Sequence, residues 1–235
     1  MNTRVLKWIA LITMVIDHVG HFLFPEYFFL RVIGRIAFPI FTYLFAFSYR
    51  HSSNRKNLAI RVWISAILGQ VLMTVFGAGE IISIFFLFGL AIIMFELMDR
   101  GLDWTIILIA VSAEFFGVDY GAYGIFVLYF FYKFHDSFKI QASSYIVLTL
   151  FFTLFPFMIP DNWSYIPLIL NNFFDFGWQY LVQSFSIVSM IFIAFLNKEK
   201  PKSYAYPYNL IEKYFFYIFY PTHLALLAVL RGLYL

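Results

Sequence analysis

Residues 5–24 read VLKWIALITMVIDHVGHFLF, a stretch in which only Lys7, Asp17, His18 and His21 are ionisable. A bilayer core about 30 Å thick is crossed by about 20 helical residues, so this segment has the length and composition of a membrane span. It is too long for the apolar region of a cleavable signal and lacks a small-residue cleavage site, so it reads as a retained helix. Similar stretches recur to the end of the chain. Of the 235 residues, 63% are hydrophobic, 23% aromatic and only 12% charged, and the mean hydropathy is +0.82. Water is not the main solvent of such a chain.

Working outward from the first span, crossings are expected at Phe28 to Tyr49, Leu58 to Phe76, Ile81 to Met98, Trp104 to Phe116, Tyr123 to Phe134, Ser144 to Ile159, Trp178 to Leu196 and Tyr214 to Leu230. The expected fold is therefore all-α: a polytopic transmembrane bundle of about nine helices forming one domain over residues 1–235. With the N-terminus cytoplasmic, the inner loops and span ends collect Arg4, Lys7, Arg50, Arg55, Lys56, Arg61, Arg100, Lys133, Lys139, Lys198, Lys200, Lys202 and Lys213. The outer side keeps Arg231 with Glu26, Glu80, Asp161 and Asp175, a bias that sets the orientation. Asp161 to Gly177, interrupted by Pro167 and Asn171-Asn172, reads as an interfacial excursion.

Two consequences narrow the chemistry. The formal charge of +3 is spread over loops, which argues against a nucleic-acid partner. The absence of cysteine excludes disulfides, a thiol nucleophile and thiolate metal sites, and no metal is expected. The fifth and sixth spans are too short to cross fully. Their hairpin would hold its tip, Asp119 to Gly124, within the outer half of the membrane, where irregular backbone needs protein or a wet cavity around it.

Ionisable groups in hydrocarbon cost at least about 2.5 to 3.5 kcal/mol each, so those that persist face an interior and are candidates for function. Asp17 and His21 lie at i and i+4 on the first helix, with His18 rotated about 100° from Asp17. Arg31 and Arg35 leave the second span on one face. The short turn between the two helices brings His18 and the arginines to comparable depth. His223 and the Asp119 hairpin with its tyrosine neighbours come to a similar level, so four segments are expected to share one polar layer. The bland alternatives stand beside this: Arg31 and Arg35 as counter-ions of Asp17 or Asp119, and His223 as an interhelical hydrogen-bonding group. A transporter or anion pathway would also bury arginine and histidine, although no internal repeat supports one.

The segments LKWIALITMVIDH (6–18), RVIGRIAFPIF (31–41), DYGAYG (119–124) and FYIFYPTHL (216–224) resemble, in order, the motifs of the TraX-type membrane proteins. That family includes the N-acetylase of conjugative pilin and is similar to larger transmembrane acyltransferases such as the lysosomal glucosaminide acetyltransferases. The resemblance implies a multi-pass acetyltransferase of the bacterial cytoplasmic membrane, with acetyl coenzyme A as donor and an amine or hydroxyl acceptor near the outer face. It implies Asp17, His18, Arg31, Arg35, Asp119 and His223 as the matching polar positions. On that layout Asp17, His18, Asp119 and His223 are the candidate catalytic residues, and Arg31, Arg35, Tyr120 and Tyr220 the candidates for binding substrate, oxyanion or phosphate. Thr222 stands where an apolar residue is expected. The pilin acceptor is not implied by the residues themselves. In the expected chemistry His18, held by Asp17, is the general base or a transient acyl carrier, and His223 is the second candidate for the proton.

Overall fold

A computed structural model describes residues 3–75, 82–159, 162, 166–171, 177–198 and 210–234. The Gly77 to Gly79 connection, most of the Asp161 to Gly177 excursion and most of the Asn197 to Asn209 loop lie outside the described residues. The described chain is helical almost throughout: α1 (Thr3–Phe22), α2 (Phe28–Gly34), α3 (Ala37–Arg50), α4 (Arg55–Val75), α5 (Ile84–Asp99), α6 (Thr105–Phe115), α7 (Gly121–Lys133), α8 (Phe138–Met158), α9 (Ile166–Asn171), α10 (Trp178–Leu181), a 3₁₀ segment (Val182–Val188), α11 (Ser189–Lys198) and α12 (Leu210–Tyr234). These elements follow the nine expected crossings. Among the described residues, five stretches are long and apolar enough to span a bilayer alone: Thr3–Phe22, Phe28–Arg50, Arg55–Val75, Phe138–Met158 and Phe215–Gly232.

Local chemistry explains where the elements start and break. Asn54 caps α4, its side-chain oxygen accepting from the Asn57 N–H at 2.8 Å. Ser83 caps α5 by accepting from the Phe85 N–H. The expected second span is broken into α2 and α3 by a turn at Arg35 and Ile36. Pro39 accounts for the break, because its ring crowds the carbonyl four residues back, at Arg35, and it offers that carbonyl no N–H. The seventh crossing is longer than expected. It begins at Phe138, because the polar run before Ser144 carries Gln141 on a buried helical face and needs no loop.

The α6–α7 hairpin is as short as its sequence suggests: 11 and 13 residues, about 17 and 20 Å. At its tip Tyr120 adopts the left-handed conformation with φ 63°. Gly121 follows at φ 45°, and a Cβ there would fall on the Glu114 carboxylate, which accepts from the Ala122 N–H at 3.0 Å. Glu114 thereby caps α7 from the preceding helix.

The chain packs as two compact units, and the boundary falls within α3. Unit 1 comprises Met1–Thr42 and Asp136–Glu199; unit 2 comprises Tyr43–His135 and Lys200–Leu235. In unit 1, α1 packs on α2, and α8 packs on the segment from Trp178 to Lys198, which also meets α1 and α2. The α1–α2 crossing is close, since a Cβ at Gly20 would approach the Leu30 Cβ to 2.7 Å. In unit 2, α4, α5, α6 and α7 pack in succession, α5 meets α7, and α12 lies against α4.

Candidate functional site

Unit 1 holds one ionic cluster at the α1–α2 crossing. Asp17 is only 7% exposed. Arg35 Nη2 donates to both of its carboxylate oxygens, at 2.8 and 2.6 Å. Arg31 Nη1 lies 2.9 Å from Oδ2 and donates to the Asp17 backbone carbonyl at 3.1 Å. The i, i+4 spacing of the arginines survives the break after Gly34, because Arg35 keeps helical dihedrals. Gly34 lets the helices close on one another, as any Cβ there would land on the Asp17 side chain. The structure thus gives Asp17 the role of counter-ion to Arg31 and Arg35. His18 follows on the adjoining face, half-buried, and His21 is exposed with its ring edge-on to Phe22.

Unit 2 holds a second cluster, built from four separate stretches and centred on Ser83. The Ser83 N–H donates to the Gln70 side-chain oxygen at 2.8 Å, and its hydroxyl hydrogen-bonds with Tyr220. Next to it, Ile82 forms a single parallel bridge with Val118. The Ile82 N–H donates to the Gly117 carbonyl at 3.3 Å, and the Asp119 N–H donates to the Ile82 carbonyl at 2.9 Å. The start of α5 is therefore stitched to the hairpin on one side and to α4 and α12 on the other. Asp119 and Tyr120 lie within electrostatic reach of the buried Tyr220 phenol. Phe85 packs edge-on against Tyr220 and stacks on Tyr217.

His223, one turn beyond Phe219 on α12, is buried and stacks on the Phe219 ring at 5.0 Å. Its Nδ1 lies 2.9 Å from the Phe219 carbonyl. A carbonyl only accepts, so Nδ1 carries the proton of the neutral ring and Nε2 presents the lone pair. Asp119, Tyr120, Tyr220 and His223 thus share unit 2, whereas Asp17, His18, Arg31 and Arg35 share unit 1.

At the opposite end of unit 2, a rim of charge and aromatic rings closes the bundle. The Tyr49 hydroxyl donates to Glu96, the Tyr132 hydroxyl to Asp99 at 2.8 Å, and Arg55 pairs with Asp99 at 2.6 Å. The Arg50 guanidinium donates to the Tyr132 carbonyl and lies over that ring, while Arg55 lies over Tyr49. Sequence reasoning passed over Gln70, Ser83, Glu96 and Glu114. The two carboxylates carried the signal already used elsewhere, an ionisable group inside an apolar span; Ser83 becomes visible only through its partners.

The chain matches the TraX protein family over residues 2–231. It belongs to the TraX family. Membership fits a membrane protein of the kind that modifies pilin, and the four quoted motifs fall on the two polar clusters of this TraX chain. An uncharacterized protein of Rickettsia prowazekii (strain Madrid E) is 27% identical over 191 residues, covering 71% of this chain and 72% of the relative. No solved structure matches.

Proposed function

We propose that this TraX-family protein is an acetyltransferase of the bacterial cytoplasmic membrane, moving an acetyl group from acetyl coenzyme A to an amine or hydroxyl acceptor. The observation that carries the reading is the placement of His223: a buried imidazole whose Nδ1 lies 2.9 Å from the Phe219 carbonyl and whose ring meets Tyr220, itself within reach of Asp119 and Tyr120. In a neutral acceptor amine or a hydroxyl, Nε2 takes the proton as nitrogen or oxygen attacks the thioester carbonyl. The oxyanion that forms is met by a hydroxyl donor such as Tyr220 or Tyr120. The carbon–sulfur bond then breaks, the imidazolium returns its proton to the departing thiolate, and the products are the acetylated acceptor and the free thiol. The packed aromatic surroundings keep out water that would compete for the acetyl group.

In unit 1, the Arg31 and Arg35 guanidiniums, held side by side on Asp17, are suited to an anionic substrate group. His18, beside that charge, is the other candidate base. Asp17 supports it indirectly by fixing the arginines.

The test is full-length protein in proteoliposomes supplied with labelled acetyl coenzyme A and an amine acceptor. Turnover abolished in His223→Gln and kept in His18→Gln supports the assignment; the reverse pattern moves the base to His18. Solute flux without acetyl turnover would replace the enzyme with a transport pathway.

A further inference from the structure

The charged rim of unit 2 brings the inner ends of four helices to one level. Arg55, the first residue of α4, pairs with Asp99, the last of α5, at 2.6 Å. Asp99 also accepts from the Tyr132 hydroxyl at 2.8 Å, and Lys133, the last residue of α7, pairs with Asp103, just ahead of α6, at 2.6 Å. From that level the helices rise unequally. α4 has 21 residues, α5 16, α6 11 and α7 13, which gives about 31, 24, 17 and 20 Å. The outer ends of α5, α6 and α7 therefore stop about 7 to 14 Å short of the outer end of α4.

Contacts at the far end agree with this count. A Cβ at Gly69 would lie 3.8 Å from both Ser83 Oγ and Pro221 Cβ. Counted from the rim, Gly69 stands about 21 Å up α4 and Ser83 about 24 Å up α5. Beyond Gly69, α4 continues to Val75 for about 9 Å. α12 runs in the same direction, since its Tyr217 stacks on Phe85 while Tyr220, further along, meets Ser83 at the end of α5. It continues past Pro221 to Tyr234 for about 20 Å. Two long helices thus stand above the ends of three short ones.

α4 also marks the depth of the lipid. Leu68, Val71 and Val75 are exposed and apolar, so hydrocarbon reaches the last turn of this helix. The turn between α6 and α7 lies about 10 Å below that level. Its backbone is irregular, with positive φ at Gly117, Tyr120 and Gly121. At such depth irregular backbone persists where protein buries it or where it lines a wet cavity. Protein does not bury this turn: Phe116 and Gly117 are exposed, and the space where a Gly117 Cβ would stand is open. The exposed Glu114 and the half-buried Asp119 add two carboxylates that lipid does not solvate.

We infer that the outer face of unit 2 carries a water-filled vestibule, floored by the Gly117–Gly121 turn and the start of α5 and flanked by α4 and α12, which admits small water-soluble solutes from the outer side to Asp119. Beneath the floor Leu87, Met94 and Phe95 are fully buried, so the vestibule ends in packed core and opens no pore. A partner that meets Asp119 and Tyr120 here arrives through water rather than through lipid. The inference does not depend on the acetyl-transfer reading.

The chain has no cysteine, so a single introduced thiol reports one position. Sealed cells carrying full-length Asp119→Cys or Leu68→Cys are treated on the outer side with a charged, membrane-impermeant methanethiosulfonate, and labelling is read as a mass shift of the purified protein. The reagent needs a thiolate, which forms in water and not in hydrocarbon. Leu68 is the control at matched depth: it is 57% exposed on α4 and stands about 20 Å from the rim, level with the turn. Labelling of Asp119→Cys several-fold faster than of Leu68→Cys is expected. No labelling at Asp119→Cys overturns the vestibule. Equal labelling at Leu68→Cys also overturns it, because the bilayer surface then lies at that level all round. Should Asp119→Cys not fold, Tyr120→Cys, where a side chain already occupies the turn, is read in the same way.

Discussion

Replacing Asp17 with Asn leaves the side chain almost unchanged in size and strands two guanidiniums at a helix crossing. In the native protein the Asp17 carboxylate meets Arg35 at 2.6 Å and Arg31 at 2.9 Å, with 12% and 21% of those arginine side chains exposed. Removing one partner of a buried ion pair costs about 3 to 5 kcal/mol. The partial exposure of Arg31 places the expected loss near the lower end, about 3 kcal/mol. The assay is reversible unfolding in mixed micelles by titration with a denaturing detergent. A second variant separates the charge from the packing: Asp17→Asn with Arg31→Met and Arg35→Met removes the stranded charges, and because apolar replacement of a buried ionic cluster is often neutral, it recovers most of the loss. The reasoning is refuted if Asp17→Asn lies within about 0.5 kcal/mol of wild type, the spread of an ordinary surface change, or if the triple variant is no more stable than the single one.

Three further outcomes follow from the same packing. Gly34→Ala forces a methyl onto a carboxylate that two arginines hold in place, so it lowers stability by about 1 to 3 kcal/mol, the range for overpacking, in the same detergent titration. Tyr49→Phe removes the hydroxyl that donates to Glu96 and leaves that carboxylate short of a donor; a loss of about 1 to 3 kcal/mol is expected, against none at the exposed Tyr27→Phe. Arg55→Ala breaks a pair with Asp99 that is 35% and 39% exposed, so its cost is at most about 1 kcal/mol and shrinks as salt is added, measured by thermal melting at two ionic strengths.

The helical segments were legible because apolar length is a coarse signal that survives errors of a few residues at each end. The short hairpin was legible for the same reason, read in reverse: α6 lacks the residues to cross. The break at Arg35 was not anticipated, although Pro39 was in plain view, because hydropathy averages over the residue that ends the helix. The arginine pair illustrates a different limit. Spacing of four puts Arg31 and Arg35 on one face, but it does not show that Asp17 lies against that face; the ion pairs across the α1–α2 crossing do.

The salt bridge between the first two helices also bears on how the chain enters the membrane. Asp17 lies on α1, and Arg31 and Arg35 follow on the far side of a turn of a few residues, so the nascent hairpin carries its own counter-ions and needs no later segment to neutralise the carboxylate. Synthesis of α3 onward then proceeds with this charged crossing already closed on itself. The opening hairpin can leave the translocation machinery as a pair rather than as two helices waiting for partners.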